Sequence, residues 1–136
     1  MIEKISHIGI AVKNMEEALS VFRDGIGFEV TSTDEVTTQK VKVAFLPVGE
    51  TRFELLEPTH EDSPIAKFLE NRGEGIHHIA LKVTNIEESL AKLKAKGVKL
   101  INEAPVPGAH GSRVAFLHPK GTRGVMLELV EEEEHG

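Results

Sequence analysis

The stretch Gly75-Ile76-His77-His78-Ile79-Ala80-Leu81-Lys82-Val83 repeats, near the middle of the chain, the text Ile5-Ser6-His7-Ile8-Gly9-Ile10-Ala11-Val12 near its start. The aligned histidines, His7 and His78, are 78 − 7 = 71 residues apart. The repeat continues beyond them, with Lys13-Asn14-Met15-Glu16-Glu17-Ala18-Leu19 answered by Thr84-Asn85-Ile86-Glu87-Glu88-Ser89-Leu90. In both copies an Asn stands where a helix N-cap belongs and a Glu follows three residues later, the pattern of a capping box. Apolar residues then recur at helical spacing, Met15, Ala18, Leu19 and Phe22 in one copy and Ile86, Leu90 and Leu93 in the other. Glycine ends each run, near Gly25 or Gly27 and at Gly97.

Beyond each helix the text turns β-like. The first half predicts strands around 27–30, 40–46 and 51–57, and the second half around 99–102, 112–117 and 124–130. Each half therefore reads β-α-β-β-β, module 1 over about 3–58 and module 2 over about 75–131. Between them, 63–73 carries its own helix punctuation, with Ser63 as N-cap, Pro64 at the first helical position and Gly73 at the end. The expected fold is α+β: two modules related by a pseudo-two-fold in one domain over 1–136, forming a partly closed sheet around one metal-binding cleft.

Composition narrows the function. A chain of 136 residues has room for a real core shared by two modules. No apolar run approaches the length of a membrane span, and Met1-Ile2-Glu3-Lys4 lacks a signal peptide's basic and apolar regions, so a cytoplasmic, membrane-free protein is expected. A formal charge of −6 without Trp or Tyr argues against nucleic acid, which asks for clustered cations and stacking platforms. Without cysteine, any metal must be held by His, Asp or Glu. The run Glu131-Glu132-Glu133-Glu134 reads as the start of a solvated, frayed tail over 131–136.

Strand parity sorts the chemistry. Alternate side chains point to opposite faces, so Ile8, Ile10 and Val12 cover the helix while His7, Gly9 and Ala11 look the other way. In the second copy Ile79, Leu81 and Val83 face the helix, and His78, Ala80 and Lys82 do not. The same parity puts His77 on the helix side, where a structural role is expected. The last strand of each half embeds a carboxylate in apolar text, Glu54 in one and Glu128 in the other, 128 − 54 = 74 residues apart, so a three-residue insertion in the second half brings the registers together. A lone strand histidine is usually a core or surface residue, and a lone Glu can pair with Arg52, Lys42 or Lys82. Both residue types recurring in both copies point instead to a metal site of His7, Glu54, His78 and Glu128, suited to a divalent first-row ion such as Zn, Mn, Co, Ni or Fe.

These stretches, with Glu54-Leu55-Leu56-Glu57-Pro58, Asp62-Ser63-Pro64-Ile65-Ala66-Lys67-Phe68-Leu69 and Phe116-Leu117-His118-Pro119-Lys120, resemble the vicinal oxygen chelate superfamily, and within it the methylmalonyl-CoA epimerases. The resemblance implies an isomerase that interconverts (2R)- and (2S)-methylmalonyl-CoA by proton abstraction and return at C2 through a metal-stabilised enolate. It implies a divalent ion, with cobalt favoured, an acyl-CoA substrate and a homodimer. Glu128 matches a family ligand also proposed as an acid/base group. The second such group is expected at Lys42, where some relatives carry a glutamate; a lysine there serves only if burial or a nearby cation favours its neutral form. The Gly- and Pro-rich loop 102–113 is expected to line the substrate pocket, with Ser112 and Arg113 meeting the substrate carboxylate. Two rival readings share the fold: a glyoxalase I-like lyase or isomerase acting on a glutathione hemithioacetal, and a non-catalytic protein that sequesters a small molecule.

Overall fold

Two asparagines start two helices by the same contact. Asn14 Oδ1 accepts from the Glu17 backbone N–H at 2.9 Å and opens α1 (Met15–Leu19). Asn85 Oδ1 accepts from the Glu88 N–H at 3.0 Å and opens the equivalent helix, Ile86–Ala95. Each contact satisfies a donor that the first helical turn leaves without an intrahelical acceptor. In the computed structural model, which describes residues 2–132, the connector forms α2 (Pro64–Arg72), where Ser63 Oγ accepts from the Ile65 N–H; Ile86–Ala95 is then α3. After α1 the chain widens into a π-helical stretch, Ser20–Ile26, which Gly27 ends at a left-handed φ of 104°. A residue with a Cβ is disfavoured there.

Among the described residues, eight strands complete the α+β fold: β1 (Ile2–Ala11), β2 (Ser32–Val36), β3 (Val41–Val48), β4 (Thr51–Pro58), β5 (Gly75–Val83), β6 (Val106–Pro107), β7 (Arg113–Phe116) and β8 (Leu127–Glu131). Their order in the sheet is β2-β3-β4-β1-β5-β8-β7-β6. The same plan recurs in each half: β4 runs parallel to β1 and antiparallel to β3, and β8 runs parallel to β5 and antiparallel to β7. A helix joins each module's first strand to the strands that follow, as parallel pairing requires.

The described chain divides into two compact units, one from His7 to His77, the other combining the residues up to Ser6 with those from His78 onward. This boundary differs from the sequence-based one because the start of β1 bonds to the second module: Thr84 Oγ1 donates to Glu3, and Ser6 Oγ donates to Glu132. In the His7–His77 unit, Val12, Met15, Ala18, Leu19, Ala44, Leu46 and Leu55 form the core under α1. In the other, Val83, Ile86, Leu90, Ala115, Leu117 and Leu129 do the same under α3.

Three expectations are corrected. Residues 27–30 are not a strand; β2 starts at Ser32, although Phe28 and Val30 still pack on the core. Phe28 is held by its N–H to the Phe22 carbonyl, a continuation of the helix end rather than a ladder. In 99–102 only the bridge Leu100–Leu117 forms. The acidic run is also not frayed where it begins. Glu131 closes β8, pairs with Arg113 and accepts from the Ile86 N–H at 3.2 Å, while Glu132 accepts from Ser6. The remainder of the expected tail, 133–136, lies outside the described residues.

Candidate active site

Within the His7–His77 unit, Ile10 of β1 and Val12, just past its end, pack against the α1 core, which turns His7, Gly9 and Ala11 to the opposite face. The β1–β4 register sets Gly9 beside Glu54. His7 Nδ1 lies 3.2 Å from Glu54 Oε2, and both residues are buried, 4% and 5% exposed. A carboxylate removed from water to this degree needs donors. Arg52, two residues earlier on the same strand and face, supplies them: its Nε donates to Oε2 at 2.9 Å, its Nη2 stands 2.8 Å from the same oxygen, and its Cζ lies 5.6 Å from the centre of the Phe45 ring.

In the other unit the same construction reappears. Leu81 and Val83 pack on the α3 core, so His78 and Ala80 take the opposite face, and the β5–β8 register sets Ala80 beside Glu128. His78 Nε2 lies 3.4 Å from Glu128 Oε1, with the two residues 6% and 4% exposed. The Phe116 ring meets His78 edge-on at 5.4 Å. In each unit the histidine thus stands two residues before the position whose register partner is the glutamate. The imidazole nitrogen turned to the carboxylate differs, Nδ1 in His7 and Nε2 in His78.

His77 belongs to the helix side. It meets Phe68 of α2 edge-on at 5.0 Å, as the alternation along β5 requires.

Two sequence-predicted site residues are not brought to these pairs. On β3, Ala44 and Leu46 pack under α1, so Lys42 shares their parity and sits, exposed, on the helix face; Phe45 is the register partner of Glu54, and Val41, Val43 and Phe45 take the face of the His7–Glu54 pair. On β7, Ala115 packs under α3, so Arg113 lies on that helix face, where it pairs with Glu87 of α3 and Glu131 of β8. Its hydrogen bonds with Glu131 first, and then Glu87, push the Arg113 guanidinium further up from its ordinary value. Ser112 has the other parity, shared with Val114 and Phe116, and its hydroxyl donates to the Ala109 carbonyl at 2.7 Å. The sequence reading named Arg52 only as an ion-pair partner and missed the aromatic groups Phe45 and Phe116; the parity of β3 and β7 is the signal that places them.

Comparison with known proteins agrees with this architecture. Residues 6–116 match the family model described as Glyoxalase/Bleomycin resistance protein/Dioxygenase superfamily. The chain is 40% identical over 131 residues to an ethylmalonyl-CoA/methylmalonyl-CoA epimerase of Cereibacter sphaeroides, covering 95% of this chain and 98% of that one. It is 41% identical over 128 residues to an uncharacterized Bacillus subtilis protein, YqjC, covering 94% and 91%. Among solved structures, a Streptomyces coelicolor methylmalonyl-CoA epimerase variant in complex with 2-nitronate-propionyl-CoA matches with a TM-score of 0.93 at 38% identity, over 97% of this chain and 96% of that one. The chain belongs to the glyoxalase/bleomycin resistance protein/dioxygenase superfamily and, within it, to the methylmalonyl-CoA epimerase family.

Proposed function

We propose that this chain interconverts the (2R) and (2S) epimers of methylmalonyl-CoA, with His7, Glu54, His78 and Glu128 holding a divalent metal ion, cobalt by preference. The observation that carries the reading is the buried His–Glu pair at the same register in each unit, on a chain 40% identical to a named epimerase. The donor set fits: imidazole nitrogens and carboxylate oxygens without thiolate suit borderline first-row ions, and two carboxylates match a divalent charge. A divalent ion bound by these four groups supplies Lewis-acid stabilisation to negative charge on nearby oxygens.

The residues account for the remaining chemistry. The C2 proton lies between a thioester carbonyl and a carboxylate, so its removal places charge on oxygen. Glu128, its carboxylate held beside His78 and away from water, takes the proton of one epimer from its side of C2 while a second carrier delivers a proton to the opposite side, and in the reverse direction Glu128 is the donor. Ser112 turns its hydroxyl from the Ala109 carbonyl to the substrate carboxylate. Lys42 and Arg113 are left out of the machinery, since each is exposed on a helix face of its unit; the proton carrier on the other side of C2 belongs to an element other than β3. The enzyme works in the cytoplasm as a homodimer.

Chiral analysis of one methylmalonyl-CoA epimer incubated with cobalt-loaded protein tests the assignment. The expected result is an epimer mixture approaching equality, with the hemithioacetal of glutathione left unchanged. Turnover of the hemithioacetal with the thioester untouched moves the chain to a glyoxalase activity, and turnover of neither leaves a sequestering protein.

A further inference from the structure

Glu54 is gripped on one side. Arg52 Nε and Nη2 and His7 Nδ1 all approach the same oxygen, Oε2, at 2.9, 2.8 and 3.2 Å. Every polar contact of the Glu54 side chain among the described residues ends on that atom. The grip is rigid for two reasons. Arg52 and Glu54 share one face of β4, two residues apart, and the guanidinium rests over the Phe45 ring, whose register partner is Glu54 itself. A planar fork fixed in this way holds a carboxylate in one orientation, which a lysine's single point charge does not.

We propose that Arg52 is a positioning residue that restricts Glu54 to one ligand oxygen, Oε1, and so keeps open a coordination position that the substrate needs. The inference rests on the metal reading given above. Two imidazoles, Glu128 and one oxygen of Glu54 make four donors, leaving an octahedral ion two positions, the number required by a thioester oxygen and a carboxylate oxygen of one malonyl unit. A Glu54 released from Arg52 can turn and bind through both oxygens, which leaves only one. Arg52 thereby sets the preference for a substrate that chelates through two oxygens.

Cobalt(II) titration of the full chain tests this, using equilibrium dialysis for affinity and the visible cobalt spectrum for coordination. The variants are Arg52→Met, which keeps the stem over Phe45, and Arg52→Lys, which keeps the charge without the fork; melting curves establish that both fold. The expected result is cobalt bound at least as tightly as in the wild type by both variants. Titration with 2-nitronate-propionyl-CoA, read by the change in the cobalt spectrum, is expected to show analogue affinity reduced about tenfold or more in both, because one of its two chelating oxygens then finds no open position. Wild-type analogue affinity in either variant overturns the proposal, and so does a loss of cobalt affinity, which marks a merely structural role. Recovery in Arg52→Lys alone also overturns it, because charge rather than orientation is then responsible. Failure of the wild-type chain to bind one cobalt per chain is a different failure, which removes the metal reading and this inference with it.

Discussion

Replacing Gly108 with alanine strains the turn that carries Ser112. A Cβ on Gly108 stands 2.7 Å from Ser112 Oγ and 2.7 Å from Val114 Cγ1, against an ordinary contact beginning at 3.4 Å, so neighbours must yield by 3.4 − 2.7 = 0.7 Å. Neither neighbour is loose. The Ser112 hydroxyl is bonded to the Ala109 carbonyl, the Gly108 N–H donates to the Ser112 carbonyl at 2.9 Å, and Val114 is buried with Ala80 and Val130. Gly108 has a φ of −117°, so the cost is steric rather than conformational. Overpacking of this kind costs about 1–3 kcal/mol. With an unfolding entropy of roughly 2.1 cal/mol/K per residue, the melting temperature falls by about 3–10 °C. Far-UV circular dichroism melts measure the fall, and KM for methylmalonyl-CoA is expected to rise with it as Ser112 is displaced. Gly121→Ala is the control, since a Cβ there meets Lys99 at an ordinary 3.4 Å and is expected to leave the melt unchanged. A Gly108→Ala melt within about 1 °C of the wild type would refute the reasoning, because the turn would then be shown to yield at a cost well below the overpacking range.

The helix caps give a second expectation: Asn85→Ala removes the acceptor of the Glu88 N–H and lowers stability by about 1 kcal/mol, read as a melt shift of about 3 °C. A third concerns the adjacent histidines. His78→Ala is expected to abolish stoichiometric cobalt binding, while His77→Ala, which loses the Phe68 contact on the helix side, keeps it and lowers the melting temperature. The reverse pattern would mean that the parity of β5 has been misassigned. A fourth follows from Glu131, whose carboxyl the Arg113 hydrogen bond holds below the ordinary glutamate value. A depressed folded value contributes stability that is complete above the unfolded value, about 4.3, and lost as pH falls through the folded one. Glu131→Gln is therefore expected to flatten the acid side of the stability curve below that pH without changing its shape near neutrality.

The parts of the fold that the sequence made legible are those fixed by local chemistry or by repetition. Asn14 and Asn85 are capping residues wherever they precede such a run, and the strand period divides His77 from His78 without any knowledge of the third dimension. Repetition brought out the glutamates, since neither Glu54 nor Glu128 alone distinguishes a ligand from a paired strand carboxylate. Glu54 in fact pairs with Arg52 while still facing His7. What the sequence hid depends on backbone geometry that one residue shifts. Lys42 and Val43 are neighbours, and only the register of β3 with β4, which sets Phe45 against Glu54, shows that the face of Val43 and Phe45, not that of Lys42, Ala44 and Leu46, is the one Glu54 shares. Arg113 looked available to a substrate because Glu87 and Glu131, far from it in the chain, are brought to it by α3 and β8. The π-helical turn at Ser20–Ile26 lengthened the first helix and moved β2 beyond Phe28 and Val30, whose alternation came from covering the core rather than from a ladder.

The measurement closest to the central claim is proton exchange at C2. Cobalt-loaded wild-type protein in D2O with a single methylmalonyl-CoA epimer is expected to wash deuterium into C2 and to yield labelled molecules of both epimers, followed by loss of the C2 proton signal and by chiral analysis. Glu128→Gln is expected to stop both exchange and inversion. Absence of deuterium at C2 in the wild-type reaction, or exchange and inversion at the wild-type rate in Glu128→Gln, would contradict the account.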